Sequence, residues 1–149
     1  MKKACENAMK AEFPSLSQNE SLARALISAF LMQLNPTVSE LADIKCAVSE
    51  AVTNCTVHAY RDTIGSIVMT AKAYGDRSVK IEIKDRGCGI EDISAAMQPM
   101  YTTDRENERS GLGFTVMESF CDKIRVVSKP AKGTKVTLIK TLSKIGSAT

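Results

Sequence analysis

Val79-Lys80-Ile81-Glu82-Ile83-Lys84 alternates apolar and charged residues without a break and runs directly into Asp85-Arg86-Gly87-Cys88-Gly89. A period of two predicts a strand with one buried and one solvated face. Asp85 then stands at the strand's end, ahead of a Gly-x-Gly loop whose backbone can approach a ligand closely. A carboxylate in that position is suited to accept a hydrogen bond from the exocyclic amine of a purine. An ordinary turn leaving a strand uses the same residue types, so the segment by itself establishes a strand and its end rather than a ligand.

Moving outward, Ile67 to Tyr74 is rich in strand formers, and Gly75-Asp76 supplies the turn that pairs it with the strand just read. Upstream lie two helical patterns. Ser17-Gln18-Asn19-Glu20 has the form of a capping box opening a helix with Leu22, Leu26, Ala29, Phe30 and Leu34 on one side, stopped by Asn35-Pro36. Thr37-Val38-Ser39-Glu40 has the same form and opens a longer helix, with Leu41, Ile44, Val48, Ala51, Val52 and Cys55 as its apolar stripe. Residues 1–13 carry no clear period and read as an edge strand or a loose arm. Downstream, Asp85 to Gly113 is polar and glycine-containing, with a short helix expected at Ile93–Met97. A helix over Phe114–Cys121 follows, then a hairpin of Lys123–Ser128 and Thr134–Lys140 turning at Pro130–Gly133, and a frayed tail from Ser143 to Thr149. These elements predict an α+β fold: a two-layer α/β sandwich in which a mixed, largely antiparallel sheet is covered on one face by helices.

Composition narrows the function classes. The 149 residues make one domain's worth of chain, enough to bury roughly two thirds of the unfolded surface. With 20 Lys+Arg against 17 Asp+Glu, the net charge of +3 is too small to argue for nucleic-acid binding as the main activity. Aromatics at 5% and the absence of Trp leave no stacking platform for single strands. The longest largely apolar stretch, Ala25–Met32, falls well short of the roughly 20 residues a membrane span needs. Glu6, Asn7, Lys10 and Glu12 interrupt any signal-peptide core after Lys2-Lys3. A cytoplasmic protein with no direct nucleic-acid or membrane partner is the expectation. The five cysteines are odd in number, widely spaced and lack a Cys-x-x-Cys pair, which argues for reduced, mostly buried thiols.

Two further groups carry chemistry. Glu50 and Asn54 lie four residues apart on the second helix, stacked on one side and flanking its apolar stripe. Ser110-Gly111-Leu112-Gly113 precedes the third helix, where glycines and unpaired amides favour phosphate. The chain contains neither Gly-x-x-x-x-Gly-Lys-Ser/Thr nor a Gly-x-Gly-x-x-Gly after a first strand, which excludes Walker-type and Rossmann sites.

The order of these motifs is more specific than any one of them: Glu-x-x-x-Asn on a helix, Asp-x-Gly-x-Gly after a strand, Gly-x-Gly at a helix start, then Gly133-Thr134 entering the last strand. This resembles the GHKL group of ATPases over about residues 15–140. Length then separates the branches of that group, because gyrase-type, chaperone, repair and sensor-kinase members carry further domains or dimerising helices. The chain, beginning at Met1, is expected to be self-contained, one domain over 1–149. It is similar to the single-domain branch, serine kinases that double as anti-sigma factors, and within it to the sporulation anti-sigma F family. The wording that carries this is Leu16–Ser21, Ser49–Asn54, Gln98-Pro99 followed by Thr102-Thr103, and Glu108–Gly111.

The resemblance implies roles residue by residue. Asn54 would hold Mg²⁺ against the phosphates of ATP or ADP, and Glu50 would be the general base. Asp85 would read the adenine amine with Thr134 supporting it through water, and Gly87 and Gly89 would leave room for the base. Ser110, Gly111, Leu112 and Gly113 would wrap the phosphates, Arg109 would add positive charge, and Gln98 to Arg109, with Thr102 and Thr103, would form a nucleotide-dependent lid. It further implies a homodimer that holds sigma F, an anti-anti-sigma factor as phosphorylation substrate, and Arg24 as a partner-binding residue. A binding module with ATP as a purely structural ligand is the competing reading. Glu50 favours the kinase, since a site without turnover needs no base there.

Overall fold

The computed structural model describes residues 4–60, 62–89 and 113–143. In chain order these form β1 (Cys5–Pro14), α1 (Asn19–Leu31) with a 3₁₀ turn at Met32–Leu34, and α2 (Val38–Asn54), which continues into a π turn at Cys55–Ala59. There follow β2 (Ser66–Tyr74), β3 (Ser78–Asp85), α3 (Gly113–Phe120), β4 (Lys123–Lys129) and β5 (Gly133–Thr141). The strands make one sheet in the order β1-β2-β3-β5-β4. Each pair among the described residues is antiparallel, where the sequence suggests a mixed, largely antiparallel sheet. Of the segment read as an edge strand or a loose arm, Cys5 onward forms the edge strand β1, paired with β2. The expected helix at Ile93–Met97 and the tail beyond Ser143 lie outside the described residues.

The alternation read in β3 sorts the two faces. Val79, Ile81, Ile83 and Asp85 point the same way as their register partners Ala73, Ala71, Met69 and Ile67 on β2, and all eight are buried. Val136 and Leu138 extend this face across β5, where they pair with Ile83 and Ile81. The helices lie over it. Ile27 and Leu31 from α1, Ile44, Val48 and Val52 from α2 and Met117 from α3 are fully buried against the strands. Each such side chain contributes about 1.5–3 kcal/mol of transfer free energy. The other sheet face is solvated and basic: Lys72 stands opposite Lys80, and Lys84 opposite Lys135. Like charges so placed repel. Glu82 sits between them, 3.8 Å from Lys80 and 3.4 Å from Lys135.

Two details of α1 differ from the sequence expectation. Its N-cap is Gln18 without a side-chain capping bond. Glu20 does not reach back to Ser17 because its carboxylate is taken by α2, accepting from Ser49 Oγ at 2.6 Å and Thr53 Oγ1 at 3.1 Å. The buried stripe is Ala23, Ile27, Phe30 and Leu31, whereas Leu22 is 42% exposed. A register offset of one position moves a residue about 100° around the helix, which turns Leu22 and Ala29 outward. The thiols also differ: Cys55 is buried and Cys121 half-buried, but Cys5, Cys46 and Cys88 are exposed, and all five are free.

The second capping box forms as read. Glu40 N donates to Thr37 Oγ1 at 3.0 Å and Thr37 N donates to Glu40 Oε1 at 2.9 Å. Ser143 N donates to the other Glu40 oxygen at 2.7 Å, tying the segment after β5 to the start of α2. Burial works to raise the Glu40 pKa, but the bonds from Thr37 and Ser143 outweigh it and leave the carboxyl below its ordinary value. A depressed carboxyl stabilises the fold above its unfolded pKa and loses that contribution as pH falls through the folded value. Thr37→Ala should cost about 1 kcal/mol in urea unfolding near neutral pH. That penalty should shrink as pH falls through the carboxylate range.

Candidate functional site

Asp85 ends β3 on the helix-covered face, so its carboxylate lies at the rim of the core beside the end of α2. It is 5% exposed, and both of its oxygens accept hydrogen bonds. Oδ1 accepts from Gly87 N at 2.9 Å and from Thr134 N at 3.2 Å, while Oδ2 accepts from Cys55 Sγ at 3.4 Å. Burial pushes its pKa up, and the bonds from Gly87, Cys55 and Thr134 oppose that rise. Thr134 therefore supports Asp85 directly through its N–H, and its hydroxyl is shared with Ser128 Oγ at 2.7 Å.

The glycines of the loop make room chiefly for the protein's own backbone. A Cβ on Gly87 would overlap the Ala59 carbonyl, and one on Gly89, whose φ is +77°, would overlap Lys129 and Pro130. Gly133 has φ +115° and lies against the Asp85 carbonyl. Cys88 N donates to Ala59 O at 3.1 Å and Ala131 N to Cys88 O at 2.6 Å, which pins the loop between the end of α2 and the β4–β5 turn. Gly133→Ala meets both an unfavourable φ and a backbone overlap. Positive-φ strain alone costs about 1–3 kcal/mol, so the variant should show at least that loss in urea unfolding.

Glu50 and Asn54 are half-buried on the last two turns of α2, and Asn54 is its final residue. The next residue, Cys55, makes the bond to Asp85, so the Glu50–Asn54 end of α2 adjoins the strand-end carboxylate. Ser49 and Thr53, the residues immediately before Glu50 and Asn54, hold Glu20 of α1. Glu20 in turn lies 3.8 Å from Arg24 Nη1, and Arg24 Nη2 donates to Ser21 Oγ at 3.2 Å. Gly113 begins α3, which packs against α2. Three of the four motifs read in the sequence thus converge. Thr102, Thr103, Arg109, Ser110, Gly111 and Leu112 lie outside the described residues.

The histidine kinase-like ATPase domain family matches residues 13–140. The chain is 52% identical to an anti-sigma F factor of Caldanaerobacter subterraneus subsp. tengcongensis, over 93% of this chain and 96% of that protein. It is 54% identical to an anti-sigma F factor of Thermoanaerobacter sp. strain X514, over 90% of this chain and 93% of that one. The chain belongs to the anti-sigma F factor family.

This family assignment agrees with the fold of a solved structure, the RsbU and RsbW domains of a Mycobacterium tuberculosis protein. That structure superposes with a TM-score of 0.69 at 24% identity, covering 93% of this chain and 33% of that one. Membership in a family of ATPase-type fold implies a nucleotide site, and the donors present fit Mg²⁺ as part of it. Among the described residues no group of three or more His, Cys, Asp or Glu is placed to hold a metal ion. Mg²⁺ commonly takes only one or two protein oxygens and completes its shell with phosphates and water. The Asn54 side-chain oxygen is a hard donor of that kind. Among the described residues no helix is long and apolar enough to cross a membrane.

Sequence reasoning missed three contributors to the site. Cys55 read as one more member of the α2 stripe, and Glu20 as a capping residue. Tyr60 carried no signal: its hydroxyl accepts from Arg86 N at 2.6 Å and donates to Ser66 O at 2.8 Å, behind the loop.

Proposed function

We propose that this anti-sigma F family member binds and inhibits sigma F as a homodimer. We further propose that, with ATP and Mg²⁺, it phosphorylates a serine of the anti-anti-sigma factor that competes for it. The observation that carries the kinase reading is the placement of Glu50 one helical turn before Asn54, on the end of α2 that Cys55 bonds to Asp85. Phosphoryl transfer requires charge neutralisation, alignment and a proton acceptor rather than covalent help from the protein. Asp85 reads the adenine amine at one end of the site. Asn54 would hold Mg²⁺, which would supply charge that neutralises the phosphates. Glu50 accepts the proton of the incoming serine hydroxyl as the bond from that oxygen to the γ-phosphorus forms and the bond to the β-phosphate oxygen breaks, releasing ADP. Ser110 to Gly113 supply phosphate-facing N–H groups, Arg109 adds charge, and Gln98 to Arg109, with Thr102 and Thr103, close over the nucleotide. Gly87 and Gly89 hold the loop that presents Asp85, with Thr134 behind it. Arg24, steadied by Glu20, meets the protein partners. The location that follows is the cytoplasm, where sigma factors act.

The anti-sigma half is tested by mixing the purified chain with sigma F, ATP and Mg²⁺ and following mass by size exclusion with light scattering. The expected result is a complex containing two copies of this chain and sigma F. Separate elution of the two proteins at micromolar concentration would overturn it.

A further inference from the structure

Directly after Asn54, α2 gives way to the π turn Cys55–Ala59, closed by Tyr60 N donating to Cys55 O at 3.1 Å. A π turn adds one residue to a helical turn, which rotates everything after it by about 100° relative to a continued α-helix. Cys55, still bonded as the continuation of α2 through its N–H to Ala51 O, and the two residues carried round by the π turn place three groups on the loop that follows β3. Cys55 Sγ donates to Asp85 Oδ2, the Ala59 carbonyl accepts from Cys88 N, and Tyr60 Oη accepts from Arg86 N. Gly87, between the last two, packs on Ala59 without a Cβ to separate them.

The two oxygens of Asp85 are held unequally. Oδ1 takes two backbone N–H groups, whereas Oδ2 takes the Cys55 thiol, a weak donor at 3.4 Å. A carboxylate oxygen can accept two hydrogen bonds, so Oδ2 is aimed by the thiol and keeps room for a stronger donor from a ligand. Cys55 is fully buried, and burial together with the adjacent Asp85 charge holds the thiol in its protonated, donating form. Tyr60 likewise stays protonated, chiefly through burial. Its hydroxyl joins the first residue of β2 to the residue just after Asp85, which fixes where the strand end stops.

We propose that Cys55 and Tyr60 are positioning residues for nucleobase recognition: Cys55 aims Asp85 Oδ2 at the purine amine and Tyr60 clamps the Arg86 amide. The end of α2, through Cys55, and the π turn, through Tyr60, thereby set the preference of the site for adenine over guanine. This rests on the nucleotide reading above and adds to it the groups that set its selectivity.

The test compares the affinities of fluorescent N-methylanthraniloyl ATP and GTP for the wild type, Cys55→Ala, Cys55→Ser and Tyr60→Phe. The wild type should prefer the adenine nucleotide. Cys55→Ala should lose about three- to tenfold in ATP affinity with GTP affinity unchanged, the scale of one hydrogen bond. Cys55→Ser, which restores a donor, should recover the preference, and Tyr60→Phe should compress it as Cys55→Ala does. A packing role for Cys55 makes a different prediction, with Ala and Ser alike and both nucleotides affected equally, and that result would overturn the proposal. A second readout needs no nucleotide. The S–H stretching band of Cys55, taken as the infrared difference between wild type and Cys55→Ala, should lie below those of the other four thiols and move up in Asp85→Asn. An unshifted band would overturn the Cys55–Asp85 bond itself. A wild type that bound neither nucleotide would overturn the nucleotide reading and this proposal with it. A wild-type adenine preference that survives in Cys55→Ala would overturn this proposal alone.

Discussion

Glu50→Gln should lower serine phosphorylation by about 10²- to 10⁴-fold, the range a positioned general base supplies, and leave nucleotide and sigma F binding unchanged. The reason lies in what the substitution removes. Glutamine has the shape of glutamate and suits a half-buried position on α2 equally well, but it cannot accept a proton from the incoming hydroxyl. The helix should not suffer, because its N-terminus is held by the Thr37–Glu40 capping box and its core side by Ile44, Val48, Ala51 and Val52. The measurement is single-turnover transfer from ATP to the anti-anti-sigma protein, alongside calorimetric nucleotide affinity. Transfer by the Gln variant at the wild-type rate would mean that another group, or water, takes the proton.

Asp85→Asn should instead damage nucleotide binding. A hydrogen bond to a charged acceptor contributes about 1.5–3 kcal/mol, so losing the carboxylate should weaken ATP binding by about 10- to 100-fold. The fold should tolerate the change, since an asparagine oxygen can still accept from Gly87 N and Thr134 N. Stability should in fact move in the variant's favour as pH rises. Burial raises the Asp85 pKa, so the folded state binds this proton more tightly than the unfolded chain does. Stability from this group therefore declines as pH climbs from the ordinary carboxylate value through the raised one, and it stays low above that. The melting-temperature difference, Asn variant minus wild type, should grow across that interval and then level off. A difference that shrank with increasing pH would contradict the cause assigned to the shift. If both halves hold, the protein retains a buried carboxylate at a cost in stability because nucleotide recognition needs the charge.

Local signals in the sequence carried much of this structure. β3 was legible because its alternation is unbroken, and the start of α2 because Thr37 and Glu40 satisfy each other within one turn. Asp85 could be placed at a functional edge from its position where that alternation stops. What stayed hidden depends on partners distant in sequence. β1 is a strand because β2 offers it a free edge, which Cys5–Asn7, with a bulge in register, does not announce. Glu20 left its own helix end for Ser49 and Thr53, 29 and 33 residues away. The Gly87 and Gly89 spacing points to close approach, but only the folded chain reveals Ala59 and Lys129 as neighbours. Cys55 read as one more stripe residue because its bond to Asp85 spans 30 positions, and Tyr60 was unreadable because the π turn that carries it to Arg86 N has no sequence signature here.

The central claim is that one site spanning α2, the loop after β3 and the start of β5 transfers phosphate to a partner serine. The most direct test is incubation of the purified chain with γ-labelled ATP, Mg²⁺ and the anti-anti-sigma protein, followed by mapping of the label. The account predicts stoichiometric label on a single serine of that partner, dependent on Glu50 and Asn54. Sigma F binding in the presence of ATP with no label on the partner would contradict it and leave a nucleotide-shaped binding module in its place.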